Sequence, residues 1–597
     1  MILVLGGTTE GRIAVKALDE AAKPYYYSTL GQWQEVACAH GQRIYGKMDS
    51  EEMAAFCRDK QIKLLIDAAH PFATALHQNI YLCSQQLQLP VIRLERTFPE
   101  RTDDIIWCTD YEDAIECMKM HNVRKLLALT GVKTISKLKA FWQEHECWFR
   151  VLDRDESRED AIKQGFPKER LVYYSSDNTA ELINEIGPDA IITKESGESG
   201  GFDEKITAAH QAGIPVFAVQ RPILPATFLT VTGEYTLRKE VERLLPDFFP
   251  LRIGFTTGSC ATAASKAALI TLLRGTAPEE VAIHLPNGEV VTLPIASAHV
   301  SEGKATAAVI KDAGDDPDVT NGSTILATVK FSQKTGIHFL QGEGVGKITL
   351  PGIGISVGEP AINQTPREMM TRELSALTDK GLDVTISVPG GRELAKRTFN
   401  PKLGIVDGIS IIGTLGVVRP FSLEAFVESI RREVEVCKAI GSLHLVINSG
   451  AKSEKYIKAL YPELPAQAFV HYGNFIGDTL KIAQDLGMEQ ITMGIMLGKA
   501  VKLAEGHLNT HSKTVIMNKD FLCRLAMESG CSAQAETVIQ QLTLARELWE
   551  QLSENDAERF FPSLMKCCME TCKPLVPNAK LIIVLIDEKG IIRYTNI

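Results

Sequence analysis

Gly6-Gly7-Thr8-Thr9-Glu10-Gly11-Arg12 sets three glycines, two hydroxyls and an arginine directly after the apolar run Ile2–Leu5. Glycines at a strand-to-helix turn let a ligand approach the backbone, and the N–H groups of the helix start attract phosphate. The dinucleotide pattern G-x-G-x-x-G is broken, because Thr8 holds its middle position. Nucleotide binding and a tight structural turn both remain open, and no acidic residue after the second strand distinguishes NAD from NADP. DAAHPFA, Asp67 to Ala73, places His70 before Pro71, which favours an extended backbone there. The motif follows a predicted strand, at the end where open α/β sheets bind ligands. His70 suits either a structural role or proton donation. LTGVK, Leu129 to Lys133, repeats the strand-to-loop grammar. TKESGESGGFDEK, Thr193 to Lys205, puts Lys194 at a strand end, with Ser196 and Gly200 in a loop able to grip a ligand.

The second half carries a different set. RIGFTTGSCATAASKAA, Arg252 to Ala268, is not a nucleophile elbow, because Ala261 follows Gly258-Ser259-Cys260 and no histidine is near. It is not a P-loop either, since no Gly-Lys-Ser/Thr follows. A capped helix start fits better, with Thr256, Thr257 or Ser259 accepting backbone N–H bonds and the helix end favouring a carboxylate. KDAGDDPDVTNG clusters Asp312, Asp315, Asp316 and Asp318 without the spacing of a Ca²⁺ loop. Turn chemistry and hydrogen bonds to a ligand are expected there, and no metal. GEGVGKITLPG, with Gly344, and NPKLGIVDGISIIGTLGVVRP are glycine-rich loops. GNFIGDTL offers Asn474 and Asp478, and GIMLGKAVKLAEGHLNTHS offers Lys499, His507, Thr510 and His511. His507 and His511 have the i, i+4 spacing of a helical metal pair. Gly506 and Asn509 argue against a continuous helix, so loop contacts to a ligand are expected instead.

These motifs need elements to hold them. Residues 1–245 alternate short apolar runs (Ile2–Leu5, Leu64–Asp67, Val91–Leu94, Leu126–Leu129, Ala190–Thr193, Val216–Val219) with helical patterns, including one over Ile135–Glu144. That alternation predicts βαβ units and parallel sheet. A restart near Leu126 predicts two subdomains, about 1–122 and 123–248, and Pro246–Pro250 is the expected linker. From 249 to 597 the expectation is α+β, with antiparallel β-rich runs between Thr292 and Val388, then helices mixed with short strands from Ser422. The 597 residues carry a net charge of -10, which argues against a general nucleic-acid or anionic-membrane binder. No apolar run approaches the roughly 18 residues that span a bilayer. The 13 scattered cysteines lack zinc spacing, and no export signal precedes the first strand. Reduced thiols in the cytoplasm are expected.

In this order GGTTEGR, DAAHPFA, RLER, LTGVK and TKESGESGGFDEK resemble the precorrin-6A reductase family, over residues 1 to roughly 245. The resemblance implies two Rossmann-like subdomains around a cleft, NAD(P)H as hydride donor, and reduction of a C=N-conjugated double bond of a corrin precursor. Expected cofactor contacts are Gly6, Gly7, Thr8, Thr9, Glu10, Gly11, Arg12, Lys133, Lys194, Ser196 and Gly200, with His70 as proton donor. FTTGSCATAASKAA, KDAGDDPDVTNG, GEGVGK, NPKLGIVDGISIIGTLG, GNFIGD and GKAVKLAEGHLNTHS resemble the cobalt-precorrin-5B C1-methyltransferase family, from about Ile253 onward. That resemblance, not any spacing, implies S-adenosylmethionine. Expected substrate contacts are Thr256, Thr257, Gly258, Ser259, Cys260, Asp312, Asp315, Asp316, Gly344, Asn474, Asp478, Lys499, His507, Thr510 and His511.

Together the resemblances imply a bifunctional enzyme of cobalamin synthesis. The second half would methylate cobalt-precorrin-5B to cobalt-precorrin-6A, and the first half would reduce that product to cobalt-precorrin-6B. Its partners would be cobalt-containing tetrapyrroles and neighbouring pathway enzymes. Arg12, Lys133, Lys194, Arg392, Lys396 and Lys499 are candidate partners for the macrocycle's carboxylates. Two other readings are an NAD-binding domain fused to a small-molecule phosphotransferase and a non-catalytic tetrapyrrole carrier.

Overall fold

Runs such as Ile2–Leu5 and Val216–Val219 are buried along their whole length, as strands covered on both faces must be. The computed structural model describes every residue except 33, 175–178, 198–199, 512–514 and 597. It divides into Met1–Pro250 and Leu251–Ile597. Glu198, Ser199 and Ser512 of the motifs above lie outside the described residues.

In Met1–Pro250 the strands are β1 (Ile2–Leu5), β2 (Tyr25–Thr29), β3 (Gly41–Tyr45), β4 (Leu64–Asp67), β5 (Val91–Glu95) and β6 (Ile106–Cys108). Then come β7 (Lys125–Ala128), β8 (Glu146–Leu152), β9 (Leu171–Tyr174), β10 (Ala190–Lys194), β11 (Val216–Val219) and β12 (Leu229–Thr232). They form two six-stranded sheets, ordered β12-β5-β4-β1-β2-β3 and β6-β11-β10-β7-β8-β9. Every pairing is parallel. Both sheets are Rossmann-like. The strand order reverses between β1 and β4 in one, and between β7 and β10 in the other. Those two crevices are where ligands of such sheets bind.

The chain does not pass from one sheet to the other at a single point near residue 122. Strand β6 and the helix Tyr111–Met120 already belong to the second sheet, where Cys108 pairs with Val219. Strand β12 returns to the first sheet beside β5, and the helix Gly233–Leu244 packs in that core. Edge strands of three and four residues carry too little pattern to announce their sheet. The helix expected over Ile135–Glu144 shrinks to a 3₁₀ turn at Val132–Thr134 and one α-turn at Lys139–Trp142.

Leu251–Ile597 begins with the helix Thr257–Arg274, whose alanines and hydroxyl residues are almost all buried. It packs on an antiparallel series of strands, Ser297–Ser301, Lys304–Ile310, Thr324–Phe331 and Leu382–Ser387. A fifth strand, Ile337–Gln341, runs parallel to the last of them. A second sheet follows, in the order Phe469–His471, His444–Asn448, Gln490–Met496, Lys580–Ile586 and Ile592–Thr595. Its first three pairings are parallel and the last is antiparallel. In chain order this is 2-1-3-4-5, so its switch point lies between Asn448 and Met496. The region is a mixed α+β assembly, but this parallel sheet was not foreseen. No helix among the described residues is long and apolar enough to cross a membrane.

Candidate active sites

The turn after β1 is shaped by Tyr27. A Cβ on Gly6 would lie 2.4 Å from the Tyr27 ring, and one on Gly11 2.4 Å from its hydroxyl. That hydroxyl accepts from Gly7 N–H at 3.1 Å. Gly6 and Gly11 are therefore explained by packing. Thr8 donates to the Ala68 carbonyl at 2.8 Å, tying this turn to the DAAHPFA loop. Gly7, Thr9 and Arg12 remain exposed at the start of the helix Thr9–Asp19. A cation beside a helix N-terminus at a switch point suits a phosphate-bearing cofactor. Glu10 points the other way: it is buried and 2.6 Å from Arg96. Burial pushes its carboxyl up, but Thr8, Arg96 and its own backbone N–H hold it below the usual range.

Two residues of RLER, unassigned in the sequence, organise the site. Arg93 is fully buried and donates to Asp67 Oδ1 and the Ala69 carbonyl, each at 2.9 Å. Asp67 Oδ2 meets His77 Nδ1 at 2.7 Å, and His77 Nε2 lies 3.1 Å from the His70 carbonyl. The His70 loop thus hangs on a buried charge network, which is expensive to break. Arg96 joins Glu10 to the Ser196 carbonyl at 2.8 Å.

Beside Ser196 lies a cavity of about 210 Å³ lined by His70, Thr130, Gly131, Arg150, Tyr174, Lys194, Gly200 and Lys205 among others. Arg150, Lys194 and Lys205 make it cationic, and no carboxylate lines it among the described residues. Burial, Lys137 and Lys133 lower the Lys194 ammonium to about 8. Burial, then Arg96 and Lys194, lower His70 to about 4. His70 Nδ1 accepts from Phe72 N–H at 3.2 Å, which leaves Nε2 carrying the proton. A neutral imidazole is a hydrogen-bond donor here and a poor proton source at pH 7. The structure brings Lys194, Ser196, Gly200 and His70 together; Lys133 stays exposed outside the lining.

The FTTGSC turn is sealed by the chain itself. Thr256 caps the helix by accepting from Ser259 N–H at 3.2 Å, and Gly258 N–H donates to the Ile412 carbonyl at 2.8 Å. Ser259 Oγ donates to the Gly416 carbonyl at 2.6 Å, and Thr257 Oγ1 accepts from Ile412 N–H at 3.0 Å. These bonds occupy the Gly258 and Ser259 N–H groups, two of those a carboxylate would use at this helix start. Cys260 is 1% exposed and burial pushes its thiol up to about 12, so it is no nucleophile. The aspartates serve separate turns: Asp312 accepts from Gly314 N–H, Asp315 from Arg252 N–H, and Asp316 from Phe421 N–H. Asp318 pairs with fully buried Lys311. Among the described residues no three His, Cys, Asp or Glu side chains converge as a metal would need. Gly344 has φ +69°, and a Cβ there would lie 2.0 Å from the Val388 carbonyl, so its loop meets neighbouring backbone directly. Arg392 and Lys396 are engaged by Asp407 and Glu393 at the surface.

At the carboxyl edge of the last parallel sheet, distant motifs do meet. Lys499 Nζ donates to the Gly473 carbonyl and to Asn474 Oδ1, the latter at 2.9 Å. Burial and Lys502 lower its ammonium to about 8. The loop after Gly506 lies back on this turn, with Thr510 N–H donating to the Asn474 carbonyl at 3.1 Å. The Thr510 hydroxyl is buried without a hydrogen-bond partner among the described residues. A buried orphan hydroxyl beside a desolvated cation fits a polar ligand such as a small charged cofactor. Asp478 is exposed on the helix Ile476–Asp485, and His507 sits 3.4 Å from Glu505. His511 follows Asn509, whose side chain accepts its N–H. Among the described residues, no hydrogen bond or ion pair joins Asp478 or His507 to Lys499, Asn474 or Thr510.

Family models match three stretches of the chain. The model described as precorrin-6x reductase CbiJ/CobK matches residues 1–244, CbiD matches 246–420, and the CbiD C-terminal domain matches 509–596. The cobalt-precorrin-5B C(1)-methyltransferase of Prosthecochloris aestuarii is 44% identical over 344 residues, 56% of this chain and 93% of the relative. Its counterpart from Geobacillus kaustophilus is 44% identical over 323 residues, 53% of this chain and 87% of the relative. A solved CobK precorrin-6A reductase superposes with TM-score 0.34 at 20% identity, covering 41% of this chain and 97% of that one.

Proposed function

The chain belongs to the cobalt-precorrin-5B C1-methyltransferase family and carries a precorrin-6x reductase region ahead of it, and from this we propose how its two units divide the chemistry of a bifunctional cobalamin-synthesis enzyme. Leu251–Ile597 methylates cobalt-precorrin-5B at C1 with S-adenosylmethionine. Met1–Pro250 then reduces cobalt-precorrin-6A to cobalt-precorrin-6B with NAD(P)H.

For the reductase, the cationic cavity carries the proposal. Its lysines and arginine match a substrate fringed with acetates and propionates. Gly7, Thr9 and Arg12 would hold the cofactor's phosphates, and the cofactor when bound supplies the hydride. Lys194 gives the accompanying proton, since its ammonium at about 8 is charged at neutral pH yet poised to release it. His70 donates a hydrogen bond from Nε2 and orients the ring. Positioning carries most of the rate, so the rigidity of the Asp67–Arg93–His77 network matters directly.

For the methyltransferase, the buried Thr510 hydroxyl beside Lys499 and Asn474 supports the cofactor site. S-adenosylmethionine when bound supplies the methyl group. Lys499 would meet its carboxylate, with Thr510 and Asn474 completing the hydrogen bonds. We place the enzyme in the cytoplasm, where the free cysteines would stay reduced.

The test is to incubate the full chain with cobalt-precorrin-5B and S-adenosylmethionine, with and without NADH or NADPH. The expected products gain one methyl group, then two hydrogens only when a nicotinamide is present. No change in mass with either addition would contradict the proposal.

A further inference from the structure

His471 ends the strand Phe469–His471 and lies two residues before Gly473, whose carbonyl accepts from Lys499. Its Nε2 meets Glu454 Oε2 at 2.5 Å, and each side chain is 23% exposed. Glu454 sits on the helix Ala451–Ile457, directly after the switch-point loop that follows Asn448. Behind the pair, Lys402 Nζ lies 2.6 Å from Glu433, which is 3% exposed. Lys458, over the Phe469 ring, completes the charged groups facing it.

The electrostatics favour a proton acceptor. The hydrogen bond from His471 comes first in holding the Glu454 carboxyl below the usual range, helped by Lys402 and Lys458 against burial. An ionised Glu454 accepts from Nε2–H, which fixes the tautomer and leaves the Nδ1 lone pair to accept. No hydrogen bond to Nδ1 is found among the described residues. Lys402 is itself paired with Glu433.

Resting on the methyl-transfer reading of this unit, we propose that His471, backed by Glu454, accepts the proton released when the macrocycle is methylated. The ring carbon's electron pair forms the new carbon–carbon bond to the sulfonium methyl. The S–CH₃ bond breaks and its pair stays on sulfur, giving a thioether. The ring, now one positive charge richer, gives a proton to Nδ1. Glu454 stabilises the imidazolium until water takes the proton away.

The test uses the full chain with His471→Gln and, as a milder change, Glu454→Gln. Calorimetry reads S-adenosylmethionine affinity, and single turnovers with cobalt-precorrin-5B read methyl transfer from about pH 6 to 9. Affinity is expected to stay within about 3-fold, because neither residue is assigned to the cofactor. Methyl transfer should fall about 100-fold or more in His471→Gln, the usual size of a lost general base. Glu454→Gln should slow methyl transfer less than His471→Gln does, because the imidazole remains but loses the carboxylate that stabilises it once protonated. A His471→Gln rate within about 3-fold of wild type would overturn the inference. Wild-type protein that binds S-adenosylmethionine but transfers no methyl would sink the underlying reading, and this inference with it.

Discussion

Arg96 reaches Glu10 across 86 residues of chain: its Nη2 lies 2.6 Å from Glu10 Oε2, while its Nη1 donates to the Ser196 carbonyl. One guanidinium therefore ties the first βα turn to the loop that borders the cationic cavity. Both ends of the bridge are buried, so its loss cannot be made good by water.

Arg96→Met should leave Glu10 buried without its counter-charge and destabilise Met1–Pro250 by about 3 kcal/mol. Arg96→Lys should recover little, because an ammonium cannot span both acceptors as the guanidinium fork does. The Glu10 carboxyl sits below its ordinary value of 4.5, so its contribution to stability is complete above that pH. It is lost as the pH falls through the lower folded value. Urea unfolding followed against pH should show wild type losing stability on acidification more steeply than Glu10→Gln.

Lys194 trades stability for function. Its ammonium is lowered to about 8, so holding it charged at neutral pH works against folding, and Lys194→Met should raise the melting temperature. The same change should cut reductase turnover about 10-fold or more, with His70→Asn milder. In wild type, KM for the tetrapyrrole should rise above about pH 8, where the anion-binding charge is lost.

At the FTTGSC turn, Cys260→Ala should keep methyltransferase activity within about 2-fold, because a thiol this buried and this basic does no chemistry. Gly258→Ala should do worse. Its Cβ would lie 2.7 Å from Pro366 Cγ and 3.0 Å from the Ile412 carbonyl, at about 1–3 kcal/mol of overpacking. Melting temperature and methyl transfer on both variants check the ranking. An inactive but normally folded Cys260→Ala would reverse it.

Thr510→Val removes a buried hydroxyl that has no partner among the described residues. Stability should hold or rise, while the Kd for S-adenosylmethionine rises about 2- to 10-fold, the worth of one hydrogen bond. Unchanged affinity would remove Thr510 from the cofactor site.

The sequence showed the parallel architecture of Met1–Pro250 because strands buried on both faces are written as continuous apolar runs, as at β4 and β11. It could not show that β6 and β12 join the more distant sheet, because a three- or four-residue edge strand has no local mark of its partner. Lys194, Ser196 and His70 were legible from loops at strand ends, whereas Arg93 and Arg96 act through partners far along the chain, and His77 through a contact with Asp67 that only the folded loop creates. Of the three hydroxyls that could cap the helix, Thr256 does so, while Ser259 is the residue whose N–H is capped. That the cap is closed by Ile412 and Gly416 is a fact of tertiary packing. Two strands of the last sheet, near Leu443–Asn448 and Leu581–Ile586, were legible as apolar runs, but their parallel pairing was not, because long helical stretches separate them. With it went His471 and Glu454, an isolated His and Glu until the fold sets them side by side.

The most direct measurement follows product masses from cobalt-precorrin-5B with S-adenosylmethionine and NADPH for three full-length proteins. Wild type should add one methyl group and then two hydrogens. Lys194→Met should accumulate the methylated, unreduced product, and Lys499→Met should leave the substrate unmethylated while still reducing supplied cobalt-precorrin-6A. Reduction lost in Lys499→Met, or methylation lost in Lys194→Met, would contradict the assignment of one step to each unit.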